Sequence, residues 1–151
     1  MENIPLRILL ADDDEGDRLI FGEAMGELEL NLKVQTVNNG MQLIEHLTKS
    51  TILPHLVFLD LNMPRKNGLE CLKEIRNNDR FAAISIAIYS TSASEKDIEE
   101  TFLNGANVYI KKPNNFATLN NYYTKQSKLT IYTHKFLRIE KIFYFLFNRQ
   151  T

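Results

Sequence analysis

Residues 56–68 have the sequence LVFLDLNMPRKNG, in which an apolar run ends at a single carboxylate, Asp60. The run at 56–60 has the length and composition of a strand that is buried on both faces. Pro64 and Gly68 are typical of a loop, since proline fixes φ and glycine tolerates unusual backbone conformations. A helix is predicted after this loop from apolar residues at helical spacing, Leu69, Leu72 and Ile75. The stretch therefore predicts a strand, a loop and a helix, with Asp60 at the end of the strand.

The same alternation of strand and helix occurs along most of the chain. Strands are predicted at 6–11, 32–37, 56–60, 84–89 and 108–112. Apolar residues at helical spacing follow each of the first four strands, and a last helix is predicted to begin near Phe116. Parallel strands need crossover connections, which are right-handed. The pattern therefore predicts an α/β fold, a doubly wound parallel sheet with helices on both faces.

Length and composition fit one cytoplasmic domain. Of the 151 residues 44% are hydrophobic, which is enough for a single buried core. No apolar run reaches the roughly 18 residues of a membrane span, and three acids stand where a signal peptide would be cleaved. We therefore expect a cytoplasmic protein with no membrane contact. Cys71 is the single cysteine of the sequence, which excludes an internal disulfide and a zinc cluster.

The charge is unevenly distributed along the chain. Residues 1–112 contain 12 Lys and Arg against 18 Asp and Glu, whereas residues 113–151 contain 6 against 1. We assign residues 4–125 to the folded domain and residues 126–151 to a C-terminal extension, which is too short for a separate output domain. The net charge of −1 and the spacing of the basic residues in the tail give no strong nucleic-acid signal, so no nucleic-acid partner is expected.

The extension contains IFYFLF at 142–147, six apolar residues in a row. Such a run is a liability in water, so something should cover it. One interpretation is that it folds back over its own domain. The sharper hypothesis is that it contributes to a homodimer.

Polar residues follow four of the five predicted strands. Ligands of open α/β sheets bind beyond the carboxyl ends of the strands, so these residues should share one rim. The second strand ends instead in NNG (38–40), which indicates a plain turn. The rim is predicted to contain Asp12, Asp13, Asp14, Asp60, Ser90, Thr91 and Lys112.

Each rim residue also has an ordinary structural interpretation. An aspartate after a strand is usually a helix N-cap, and Asp14 is expected to be one. A serine there is usually part of a turn, and a lysine before proline usually lies in solvent. The coincidence on one rim favours a site, because crowded carboxylates repel one another unless a cation neutralises them. Carboxylate oxygens with open positions suit Mg²⁺, so this ion is the predicted cofactor.

These groups suggest a reaction for Asp60. A carboxylate held beside Mg²⁺ and a lysine can attack a phosphorus atom, since phosphoryl transfer depends mostly on positioning and charge neutralisation. Lys112 would then pair with one phosphate oxygen, and Ser90 would donate a hydrogen bond to another. A hydroxyl that has two positions makes a switch.

Four segments, ILLADDD, LVFLDLNMPRKNG, IAIYSTSAS and NGANVYIKKP, resemble the receiver domain of two-component response regulators, the CheY-like family. The resemblance covers roughly residues 6–125, and the stand-alone regulators associated with phytochromes are a similar type. It implies a flavodoxin-like sheet of five parallel strands in the order 2-1-3-4-5. It also implies that Asp60 is the phospho-acceptor. Mg²⁺ would be held directly by Asp13, Asp60 and the backbone carbonyl of Asn62, and through water by Asp12.

The resemblance implies further roles around the acceptor. Ser90 matches the switch hydroxyl, because its 22-residue step to Lys112 agrees with the family spacing, and Thr91 then falls out of register. Lys112 matches the family's lysine, and Tyr109 matches the aromatic residue that swings inward when the hydroxyl moves. The residues that would shape the surrounding loops are Pro64, Gly68 and Pro113.

The implied function is signalling rather than enzymatic turnover. The expected partners are a sensor histidine kinase or phosphotransfer protein, which donates the phosphoryl group, and a downstream protein target. One alternative is an interaction module that keeps the fold but binds irrespective of phosphate. A phosphatase of the haloacid-dehalogenase type is disfavoured, because such enzymes need a second aspartate where this chain has Asn62.

Overall fold

A computed structural model describes residues 4–26 and 30–112 and the backbone of residues 131–133. The strands are β1 Leu6–Ala11, β2 Leu32–Val37, β3 Leu56–Leu59, β4 Ser85–Ser90, β5 Val108–Lys111 and β6 Ile131–Thr133. The helices are α1 Glu15–Gly26, α2 Gly40–Lys49, α3 Gly68–Arg76 and α4 Glu95–Leu103, with a short 3-10 helix at Asp79–Phe81. The predicted last helix near Phe116, Pro113 and the run at 142–147 lie outside the described residues.

The strands form one sheet in the order β2-β1-β3-β4-β5-β6. The first five strands are parallel to their neighbours, which confirms the predicted order 2-1-3-4-5. Strand β6 was not predicted and pairs antiparallel with β5. The sheet therefore has an additional strand on the β5 side.

The central strands are buried on both faces, as their continuous apolar runs predict. On one face, Ile8, Leu10 and Phe58 pack with Phe21 and Met25 of α1. On the other face, alternate strand residues pack against α2, α3 and α4, and these residues include Leu9, Ala11, Val57 and Leu59. Helices on both faces are thus confirmed, and they hold the carboxyl ends of β1, β3, β4 and β5 at one rim.

Side-chain caps fix the starts of the helices. Asp14 accepts a hydrogen bond of 2.8 Å from the Asp17 amide, which confirms it as the N-cap of α1. The segment NNG is more than the plain turn that the sequence indicated, because Asn39 caps α2 by accepting from the Gln42 amide. Asn67 caps α3 in a capping box with Glu70.

The helices of the described part of the chain are too short or too polar to span a lipid bilayer.

Candidate metal and phosphoryl-acceptor site

The sheet register places the predicted rim residues side by side. Ala11 pairs with Leu59, and Leu59 pairs with Ile88, so the ends of β1, β3 and β4 lie level. Backbone hydrogen bonds extend this alignment by one residue, since the Asp60 amide donates to Ala11 O and the Lys112 amide donates to Ser90 O. Residues that are scattered between positions 12 and 112 therefore meet at one edge of the sheet.

Three carboxylates form the acidic side of the site. Oxygen atoms of Asp12, Asp13 and Asp60 lie within 4.8 Å of one another. Asp12 and Asp60 are buried, whereas Asp13 is exposed. The buried Asp12 Oδ2 forms an ion pair with the ammonium of Lys112, at 2.6 Å, so one positive charge faces three carboxylates. The donor set therefore fits a hard divalent cation with an open, solvent-facing side.

Lys112 is the cationic group that faces these acids. Its Nζ lies 2.6 Å from Asp12 Oδ2, 3.0 Å from Asp17 Oδ2 and 3.4 Å from Asp60 Oδ2. Burial by itself would lower the pKa of this lysine. Hydrogen bonding to Asp12, the charges of Asp60 and Asp12, and a hydrogen bond to Asp17 outweigh burial and raise the pKa above its ordinary value, so the side chain stays an ammonium.

The pKa of the Asp60 carboxyl is higher than that of an ordinary aspartate. Burial is the largest influence and, together with the charge of Asp12, raises the pKa of this carboxyl to about 6. The charge of Lys112 and a 3.3 Å hydrogen bond from the Asn62 amide act in the opposite direction. Near neutral pH the side chain is mostly a carboxylate, which is the form that can act as a nucleophile.

The predicted switch residues, Ser90 and Tyr109, are connected by hydrogen bonds through Ser92. The Ser90 side chain is fully buried and its Oγ accepts from the Ser92 amide at 3.3 Å. Thr91 is exposed. Tyr109 is fully buried, and its hydroxyl donates to Ser92 O at 2.7 Å. The Ser92 hydroxyl in turn donates to the Asp97 carboxylate in the first turn of α4.

The loop between β3 and α3 depends on Gly68. A Cβ at this position would overlap the Asp60 carbonyl oxygen and lie 2.8 Å from Leu61 Cα. The Gly68 amide donates to Leu61 O at 3.0 Å, and Pro64 O accepts from the Lys66 amide at 2.8 Å. The absence of a side chain at Gly68 thus lets α3 begin directly against the backbone of Asp60.

Two residues that contact Lys112 were not predicted from the sequence. Asp17 approaches it from the first turn of α1, and the ring centroid of Tyr89 lies 5.3 Å from its Nζ. Asp17 is the third residue of α1, and its spacing from β1 gave no signal of this contact. Tyr89 gave no signal beyond its place in an apolar strand.

Comparison with protein families matches residues 8–124 to the response regulator receiver domain. The response regulator Rcp1 of Synechocystis is 28% identical over 122 residues, which span 78% of this chain and 83% of that protein. The crystal structure of the phosphorylated cyanobacterial phytochrome response regulator RcpA superposes with a TM-score of 0.72 and 27% identity, covering 84% of this chain and 99% of that one.

A structure of Rcp1 in its Mn²⁺-bound form superposes equally well, with a TM-score of 0.72 and 25% identity over 83% of this chain and 99% of that chain. Members of this family are signalling proteins of phosphorylation-based two-component systems. The matched segment covers most of the chain and includes the whole acidic rim, so this protein belongs to the response regulator receiver domain family.

Proposed function

We propose that this protein is a single-domain response regulator that accepts a phosphoryl group on Asp60. The observation that supports this most is the placement of a buried carboxylate between a buried ammonium, Lys112, and two further acids, Asp12 and Asp13. The donor would be a phosphohistidine of a sensor histidine kinase or a phosphotransfer protein. Phosphorylation would then change the affinity for a downstream protein target.

The acidic side of the site would hold Mg²⁺. Asp13, Asp60 and the backbone carbonyl of Asn62 would be its direct ligands, and Asp12 would contribute through water. The bound ion would neutralise charge on the incoming phosphoryl group. The grouping of three carboxylates within 4.8 Å of one another supports a cation at this place, and so does the Mn²⁺-bound form of Rcp1.

Three side chains of this protein would have separate roles in phosphoryl transfer. A carboxylate oxygen of Asp60 attacks phosphorus, the new O–P bond forms as the N–P bond of phosphohistidine breaks, and the histidine nitrogen keeps the electron pair and takes a proton from water. Lys112 pairs with a phosphoryl oxygen as a point charge. Ser90 donates a hydrogen bond to another oxygen, which requires its hydroxyl to turn toward Asp60.

In the proposed switch, a movement of the Ser90 hydroxyl would alter the face formed by α4 and β5. Tyr109 is the conformational switch residue, and its inward, hydrogen-bonded position beside Ser92 supports this coupling. Phosphorylation would shift the population toward the state in which Ser90 contacts the phosphoryl group and Tyr109 is inward.

Several broader features belong to the same proposal. Residues 4–125 form the receiver and residues 126–151 an extension that joins two copies in a homodimer. The protein acts in the cytoplasm without binding nucleic acid or membrane. It is not an enzyme, because its chemistry is limited to accepting phosphoryl groups from donors and to slow self-hydrolysis.

Intact-mass spectrometry tests the proposal. The full chain is incubated with Mg²⁺ and phosphoramidate, and one phosphate is expected on the wild type and none on Asp60→Asn, which keeps the shape but not the nucleophile. An unmodified wild type, or equal modification of both proteins, would reject Asp60 as the acceptor. The alternative, a phosphate-independent interaction module, predicts partner capture that is identical with and without beryllofluoride, a phosphoryl mimic.

A further inference from the structure

A fourth carboxylate, outside the three that form the acidic side of the site, also contacts Lys112. Asp17 lies in the first turn of α1, and its Oδ2 accepts a 3.0 Å hydrogen bond from Lys112 Nζ. Asp12 Oδ2 is nearer to Nζ, at 2.6 Å, and Asp60 Oδ2 is the most distant of the three at 3.4 Å. One of the three N–H donors of Lys112 is thus engaged by Asp17, which is nearer to the ammonium than the proposed acceptor is.

Asp12 and Asp17 differ in how easily Lys112 can leave them. The Asp12 side chain is completely buried, so losing its cation would strand a charge without water. The Asp17 side chain is 37% exposed, so water can replace the ammonium there. The ring of Tyr89 limits movement of Nζ on a further side. Asp17 is therefore the partner that Lys112 can give up when a phosphoryl group arrives.

We propose that Asp17 is a positioning residue that competes with the phosphoryl group for Lys112. The inference rests on the proposed function, because it concerns the same lysine. A phosphorylated Asp60 needs the ammonium as a counterion, while the carboxylate of Asp17 both attracts this ammonium and repels the phosphoryl charge. Asp17 thus favours the unphosphorylated state and weakens the binding of phosphoryl groups and their mimics.

Beryllofluoride affinity of the full chain at saturating Mg²⁺ tests this role. Asp17→Asn should bind about three- to tenfold more tightly than wild type, the size expected when one charge a few ångströms away is removed from a partly solvated site. Asp17→Glu keeps the charge and should restore affinity to near the wild-type value. Unchanged or weaker binding by Asp17→Asn would overturn the proposal.

Glu15→Gln is the matched control. Glu15 lies in the same first turn of α1, is exposed, and forms no ion pair with Lys112 in the described part of the chain. The substitution removes the same charge from the same helix start, so it should change affinity less than twofold. An increase equal to that of Asp17→Asn would mean that only the charge of the helix start matters, and would reject a specific role for Asp17.

A double-mutant cycle with Lys112→Ala shows whether Asp17 acts through the lysine. The increase caused by Asp17→Asn should disappear in the Lys112→Ala background, and an undiminished increase would overturn the mechanism. Failure of the wild type to bind beryllofluoride would overturn the proposed function itself. A wild type that binds, together with an Asp17→Asn variant of unchanged affinity, would reject only the role of Asp17.

Discussion

Among single residues, Asp60 in its charged form lowers the free energy of unfolding. Its pKa rises from 3.8 to about 6, chiefly because burial disfavours the charged form. Between these two pH values the folded state binds more protons at this carboxyl than the unfolded state does. The contribution of Asp60 to stability is therefore most favourable below its unfolded pKa and is lost as the pH rises through about 6.

Asp60→Asn should therefore stabilise the metal-free protein at neutral pH. The gain in unfolding free energy is expected to be roughly 1–3 kcal/mol at pH 7 and to shrink toward pH 4, since the asparagine does not ionise. Urea denaturation of both proteins across this pH range measures it. Glu99→Gln removes a charge from the exposed face of α4 and serves as the control. A gain that is constant with pH would contradict the assigned titration.

The central site residues could be predicted because each of them directly follows, or ends, a strand. Asp12, Asp60, Ser90 and Lys112 needed only the rule that parallel strands end at one edge, together with the family resemblance. Asp17 could not be predicted in the same way. Its contact depends on how α1 leaves the sheet and on the reach of a lysine side chain, and neither is encoded in spacing along the chain.

At the scale of elements, the junction of β3 and α3 depends on backbone contact. Gly68→Ala should lower the unfolding free energy by about 1–3 kcal/mol, because its Cβ would overlap the Asp60 carbonyl oxygen and the rigid junction has little room to relax. Gly22→Ala is the matched control within α1, where a Cβ meets nothing within 4 Å. It should gain about 0.5–1 kcal/mol from helix propensity. Equal effects of both substitutions in urea denaturation would refute the overlap.

A hydrogen bond from the Tyr109 hydroxyl connects β5 to the loop before α4, and removing this hydroxyl tests its contribution. Tyr109→Phe keeps the buried ring but loses the hydrogen bond to Ser92 O. The opening free energy of residues 91–97 should fall by about 1 kcal/mol, the net worth of such a bond. Amide hydrogen exchange in this loop should then become several-fold faster, while β1 amides provide an internal reference. Unchanged exchange in the loop would show that the hydroxyl does not hold it.

Elements themselves were more predictable than their ends. Strands β1 and β2 have the predicted bounds, because both have clear apolar patterns between polar flanks. Strand β4 begins and ends one residue later than predicted, so that Ser90 belongs to the strand. The NNG segment was misinterpreted because an N-cap and a turn use the same residue types. Strand β6 has three residues, too few for a pattern, and exists only through its pairing with β5.

For the whole molecule, the extension can be tested by truncation after Thr124. This removes the strand that pairs with Val108, Tyr109 and Ile110, so one side of β5 loses its partner. We expect faster amide exchange in β5 and, if the extension joins two copies as proposed, a drop in solution mass from dimer to monomer. Light scattering coupled to size-exclusion chromatography measures the mass. A truncated chain with an unchanged number of subunits would reject the proposed role of the extension.

The rim has a consequence for biosynthesis. Its acids follow β1 and β3, whereas its lysine follows β5, so a ribosome makes the negative charges long before the positive one. A nascent chain that lacks residue 112 has no ammonium to place beside the buried Asp12, and its half-built sheet should stay open there. The complete rim would then form only when the last parallel strand docks, so that unfinished chains would lack the proposed acceptor site.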